Sequence, residues 1–199
     1  MLEQRIQQHF IDSADLKYQA AQALSAPIAA AVQAILACVT SGGKVLACGN
    51  GPSAAEALQF AAFCVAGFER DRPELAALAL TSDSTLLTGA GGGSDVAQQF
   101  ARQVRALGQA GDVLLALSVT GNDANLIAAT EAAHERDMTV VVLSGRTGGQ
   151  LATMVRETDV LIGVPHDRAA RVREVHALVL HCLCDGVDAQ LLGEQEIPL

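Results

Sequence analysis

The sequence has no tryptophan, a single tyrosine and five phenylalanines, so aromatic residues make up only 3% of its 199 positions. A core without large rings must be built from Ala, Leu and Val, and hydrophobic residues reach 50% of the chain. That is ample for burial and excludes an intrinsically disordered chain. Positive charge is scarce too: 13 Lys and Arg stand against 22 Asp and Glu, a net charge of −9. An acidic surface repels phosphates before contact forms, which argues against direct nucleic-acid binding. No charge-free, wholly apolar run of the roughly 18 to 20 residues needed for a membrane span is expected. The opening MLEQRIQQHF lacks the basic-then-apolar order of a secretory signal. A cytoplasmic protein without membrane contact is the expectation. Five cysteines (Cys38, Cys48, Cys64, Cys182 and Cys184) are an odd number, and four lie in apolar stretches. They read as free thiols in a reducing compartment. Cys182-x-Cys184 has no second pair to complete a metal site.

The length suits one domain. Apolar positions Ile6, Phe10, Ala14 and Leu24 recur at helical spacing, and Pro27 suits the first turn of a second helix running to about residue 41. Residues 1–41 therefore read as an N-terminal helical extension, and packing in an oligomer is expected of it because alanine-rich helical surfaces often meet in oligomers. From residue 42 to 192, apolar runs at 44–49, 75–81, 112–119, 138–145 and 159–165 alternate with helical patterns at 52–68, about 95–107, 122–137 and 169–192. A short helix is also expected over GQLATMVRE. Five strands separated by helices predict an α/β protein with a doubly wound, five-stranded parallel sheet, Rossmann-like or flavodoxin-like, its site at the carboxyl ends of the strands. Residues 193–199 read as a flexible tail.

Two strand-to-helix junctions carry phosphate-binding chemistry. The first is Gly49-Asn50-Gly51-Pro52-Ser53, where glycines admit an anion close to the backbone. Pro52 suits an early helical position, and Ser53 offers a hydroxyl beside unpaired helix amides. The second is Ser118-Val119-Thr120-Gly121-Asn122, again entering a helix. Tight turns and helix caps explain either one alone equally well. Neither a GxGxxG fingerprint nor a Walker loop is present, which disfavours a nucleotide enzyme.

The runs GGKVLACGNGPSAAEALQF, RPELAALALTSDS, QVRALGQAGDVLLALSVTGNDANLIAA, MTVVVLSGRTGG and RVREVHALVLHCLCD resemble the bacterial sugar isomerase (SIS) domain family, in the branch of phosphoheptose isomerases and DnaA initiator-associating proteins. The resemblance implies a homotetramer and a sugar-phosphate pocket lined by Gly49, Asn50, Gly51, Ser53, Asp83, Ser118, Thr120 and Asn122, with Arg173 nearby. It also supplies a test. An aldose–ketose isomerisation needs a base near the substrate and an acid or metal to stabilise the enediolate. The family places a His and a Glu on the helix after the first turn, and a Gln and a His on the last helix, as a metal-binding acid–base cluster. By position these become Gln59, Phe63, Arg173 and His181. Only His181 is retained as a catalytic candidate. Phe63 cannot titrate, Gln59 is a poor zinc ligand, and Arg173 puts a fixed cation where a metal would sit.

The neighbourhood departs as well. Gly92-Gly93 stand where relatives have an Asn-Asp pair, and Asp123 stands where they have a third phosphate-loop serine. A carboxylate beside phosphate is repulsive unless a cation such as Arg173 intervenes. His181 and His176 lie on one apolar helix and suit buried, hydrogen-bonded roles. His134 suits the dipole at a helix end, and Glu56 is a possible substitute base. These departures lead to an expectation of a non-catalytic SIS protein: a tetrameric, DnaA-associating regulator of replication initiation, with Leu191 and Leu192 at partner contacts and no cofactor. The alternatives are a phosphoheptose isomerase of lipopolysaccharide core synthesis, with zinc in that case only, and a sugar-phosphate sensor.

Overall fold

The computed structural model describes residues 1–89 and 96–193. The expected glycine loop at 91–94 and most of the expected tail lie outside these residues. Five parallel strands, β1 (Val45–Gly49), β2 (Ala77–Ala79), β3 (Val113–Ser118), β4 (Thr139–Ser144) and β5 (Val160–Gly163), pair in the order β2-β1-β3-β4-β5. The helices are α1 (Leu2–Thr40), α2 (Pro52–Ala66), α3 (Ser84–Gly89), α4 (Gln99–Leu107), α5 (Ala124–Glu135), α6 (Gly149–Met154) and α7 (Ala169–Leu192). The doubly wound α/β expectation holds.

Alternation of side chains along each strand sorts the core into two layers. Val45 and Ala47, Val113, Leu115 and Leu117, and Val141 and Leu143 join α1, α2 and α7 on one face. Their sequence neighbours Leu46 and Cys48, Leu114 and Ala116, and Val140 and Val142 join α4 and α5 on the other. Strands buried on both faces need continuous apolar runs, and β1 and β3 are buried at every residue. β2 departs from that expectation. It is a three-residue edge strand with Leu78 exposed, because only β1 flanks it.

The N-terminal region forms one helix rather than two. Pro27 lies inside α1 and costs a backbone hydrogen bond. Packing on both sides of it offsets that cost: Leu16, Ala20 and Leu24 before it and Ala31, Val32, Ile35 and Cys38 after it are all buried in the α1–α2–α7 core. Gly186 lets α7 approach α1 closely, since a Cβ there would come within 2.8 Å of Val32 Cγ2. The membrane expectation also needs correction. By length and composition, α1 and α7 are each apolar enough to cross a membrane, and no charge falls between Lys17 and Lys44. Each helix buries one face in this fold.

Candidate functional site

After β1 the chain winds to the edge through β2 and returns to add β3 on the other side of β1. That reversal leaves a crevice between the loops following β1 and β3, the usual ligand position in an open α/β sheet. The two glycine turns expected from sequence converge there. A cavity of about 160 Å³ is lined by Asn50, Ser53, Leu117, Ser118, Val119, Thr120, Asp123 and Arg173. A second, more open cavity of about 320 Å³ shares Asn50 and Asp123 with it and adds Gln99 and Asn125.

Two glycines make this geometry possible. At Gly49 a Cβ would meet the Ser53 carbonyl oxygen at 2.6 Å, so the strand end can lie against the first turn of α2 only without a side chain. Gly121 has φ +69°, and a Cβ there would fall 1.8 Å from the Gly148 carbonyl oxygen. The second turn is thereby locked against α6. Asn122 joins the same lock: its Oδ1 accepts from the Gln150 backbone N–H at 2.9 Å, and its side chain is exposed rather than on the cavity wall.

Inside the crevice a polar network is closed on itself. Asn50 and Asn125 exchange amide hydrogen bonds at 2.9 and 2.8 Å. The remaining Asn50 Nδ2 hydrogen goes to Asp123 Oδ1 at 3.1 Å. Ser118 Oγ donates to Asp123 Oδ2 and accepts from the Gly121 N–H. Arg173 reaches the same cavity from near the start of α7. The sequence reading anticipated Asp123 as a difficulty for phosphate; the structure places its carboxylate directly on the cradle's donors.

Between α2 and α7, behind Ser53, lies a second polar group. His176 is fully buried, and its Nε2–H donates to the Ser144 carbonyl at 3.2 Å, which leaves Nδ1 as a lone-pair acceptor. That nitrogen faces Glu56 Oε2 at 4.0 Å, and neither atom has a hydrogen-bond partner. Burial pushes the Glu56 carboxyl above its usual range, opposed by the Ser53 hydroxyl and the Arg173 charge. Burial likewise pushes His176 down to about 4; its bond to Ser144 opposes this and Arg173 adds to it. Burial thus disfavours the charged form of both groups.

The positions that carry acid–base groups in the resemblance lie further along the same helices. Gln59 is exposed, and Phe63 packs edge-on against Phe68 and His181 with ring centroids 5.0 and 5.8 Å apart. Phe68 and His181 are 5.3 Å apart. His181 thus belongs to an aromatic cluster. This donor set does not fit a zinc ion: Phe63 offers no lone pair, Arg173 repels a cation, and no group of three or more His, Cys, Asp or Glu converges among the described residues.

The remaining expectations fall elsewhere. Asp83 does not line either cavity; its carboxylate accepts from the Thr85 and Leu86 N–H groups at 2.8 and 3.0 Å and caps α3. Leu191 and Leu192 are exposed at the end of α7. His134 is buried against Asp159 at 2.7 Å. Gly51, at φ +54°, precedes Pro52 at the start of α2. Sequence reading missed Asn125, which completes the Asn50 pairing. A polar residue inside the otherwise apolar start of α5 was its only signal.

The family model for the SIS domain matches residues 8–145, and the chain belongs to that family, in its phosphoheptose isomerase branch. It is 61% identical to the phosphoheptose isomerase of Methylibium petroleiphilum over 197 residues, 99% of this chain and 98% of the relative. It is 51% identical to that of Dechloromonas aromatica over 95% of this chain and 96% of the relative. The solved phosphoheptose isomerase from Neisseria gonorrhoeae superposes with a TM-score of 0.90 at 47% identity, covering 95% of this chain and 100% of the other. These likenesses overturn the expectation of a non-catalytic, initiator-associating regulator. That expectation gave four side-chain positions more weight than resemblance along almost the whole chain, and the proteins so resembled are isomerases.

Proposed function

We propose that the protein is a sugar-phosphate isomerase acting on a phosphorylated heptose, interconverting sedoheptulose 7-phosphate and D-glycero-D-manno-heptose 7-phosphate. The observation that carries this reading is identity of 61% along 99% of the chain with a phosphoheptose isomerase. The crevice supports it chemically, with Asn50, Ser53, Ser118 and Thr120 on two converging turns and a guanidinium at the rim. Four buried free thiols suit a cytoplasmic enzyme. Exposed Leu2, Ile6, Phe10, Ile11 and Tyr18 on α1 suit assembly into a homotetramer.

Isomerisation requires one group to remove a proton from carbon and return it to the neighbouring carbon. With Phe63 and Gln59 unable to do so, we assign that task to Glu56. Its carboxyl interacts with the Ser53 side chain, and Ser53 lines the cavity, so Ser53 is the route by which the proton passes in this reading. A carboxyl pKa raised by burial suits a base working near neutrality. Arg173 supplies the positive charge an enediolate oxygen needs. No metal is needed in this reading.

A second reading, sugar-phosphate binding without turnover, is favoured by the aromatic cluster of Phe63, Phe68 and His181 at the family's acid–base positions. One experiment separates the two. The protein is incubated with sedoheptulose 7-phosphate in deuterated buffer, with and without chelator, and proton NMR follows exchange at the carbon next to the carbonyl. Exchange that survives chelation and is lost in Glu56→Gln supports the isomerase. Binding of the sugar phosphate with no exchange sinks it and leaves the sensor.

A further inference from the structure

The second turn of the crevice contains a charge that its ligand would have to meet. Asp123 sits at the N-cap position of α5, where an Asp side chain ordinarily turns inward to accept from the helix's own first N–H groups. It makes no such bond. Its carboxylate points back across the crevice, with Oδ1 on Asn50 Nδ2 at 3.1 Å and Oδ2 on the Ser118 hydroxyl. Both Asn50 amide hydrogens are consumed, one by Asp123 and one by Asn125. The Ser118 proton is consumed as well. The donors that would hold a phosphate therefore already hold an anion, and that anion belongs to the chain. Arg173 lies on the wall of the same cavity, and its charge is felt at Glu56 and His176 as well as in the crevice.

We infer that Asp123 is the specificity-determining residue of this pocket, an internal occupant of the anion position that an incoming phosphate must displace. The inference rests on the sugar-phosphate reading and goes further, because it states what sets affinity in this chain. With Asp123 in place, a dianion gains Arg173 and loses through repulsion from a carboxylate competing for the same donors. Asp123 also lies on the wall shared by the two cavities. A carboxylate swung out of the first remains beside the second, so displacement needs a side-chain rotation and no movement of α5. The pocket therefore discriminates against small free anions. A ligand binds well only when its sugar hydroxyls make further contacts that offset the displacement.

The test uses the full-length protein and inorganic phosphate as the probe, followed by phosphorus NMR titration. Asp123→Asn keeps the shape and the contact with Asn50 while removing the charge, and Asp123→Ser also restores a hydroxyl donor. Both are expected to bind phosphate at least about tenfold more tightly than the wild type. Adding Arg173→Ala to Asp123→Asn is expected to abolish the gain. Thermal melts of each variant establish that it is folded. A folded Asp123→Asn that binds phosphate no more tightly than the wild type overturns the inference, whatever Asp123→Ser does. A gain that survives loss of Arg173 overturns it too. Failure here is separable from failure of the isomerase reading, which is judged by carbon-bound proton exchange in the wild type and not by phosphate affinity.

Discussion

The packing of α2 and the loop that follows it against α7 is held differently at its two ends. At the end away from the crevice, Arg72 and Asp188 form an ion pair at 2.5 Å with both side chains almost wholly buried. Arg72 also donates to the Phe63 and Cys64 carbonyls at 2.8 and 2.7 Å, capping the last turn of α2. A further bond to the Pro73 carbonyl at 3.2 Å brings four of its five N–H groups into use, while Asp188 Oδ2 stays buried without a partner. At the crevice end, Glu56 and His176 face each other at 4.0 Å with a buried atom on each left unpaired. Unsatisfied buried polar atoms are costly and uncommon. Both ends carry such an atom, so the contrast lies in the pairing: the far end joins two opposite charges directly as a clamp, whereas the near end holds two titratable groups apart beside the cavity where chemistry would occur.

Breaking the clamp should have the largest effect. Asp188→Ala leaves the buried Arg72 charge without its partner and is expected to cost about 3–5 kcal/mol in chemical denaturation. An effect under about 1 kcal/mol would show that Arg72 is satisfied by carbonyls alone.

The near end should reveal itself through pH. His176 takes up a proton readily when unfolded but, in the fold, only near pH 4. The unfolded state therefore binds more protons between about pH 6.5 and 4, and stability falls as pH falls across that window. The full loss is about 3 kcal/mol. Glu56 runs the other way, because its raised pKa contributes stability that is lost as pH rises through the folded value. Denaturation midpoints measured across this range should show a steep acid-side decline that flattens in His176→Gln. A slope unchanged by that substitution would assign the decline to other groups.

Glu56→Gln sharpens the comparison further. Because burial disfavours the charged carboxylate, an uncharged amide of the same shape should leave the melting temperature nearly unchanged while lowering turnover by at least about 100-fold. A stability loss without a rate loss would make Glu56 a second clamp. The smallest effect belongs to the third helix of the layer. Gly186→Ala pushes a methyl into Val32 on α1 and should cost about 1–2 kcal/mol, after the gain in helix propensity, without touching turnover.

Much of this was legible before the fold was known. The boundaries of α7 and the alternation of strand and helix follow from local periodicity, and a shared pocket for Asn50, Ser53, Ser118 and Thr120 was implied by the family resemblance of the two turns. Other features were misread because their causes are remote in sequence. Pro27 reads as a helix start, yet core contacts from both sides carry α1 through it. Arg72 and Asp188 stand 116 positions apart, and nothing local pairs them.

The sequence by itself determined the layered sheet and the loss of titrating groups at positions 59 and 63, since period and side-chain chemistry are properties of the chain. Only the tertiary structure decided that Asp123 would turn away from its own helix toward Asn50 and Ser118, and that Glu56 would face His176. Which donors a carboxylate reaches depends on what distant segments bring within about 3 Å of it, and packing alone sets that distance.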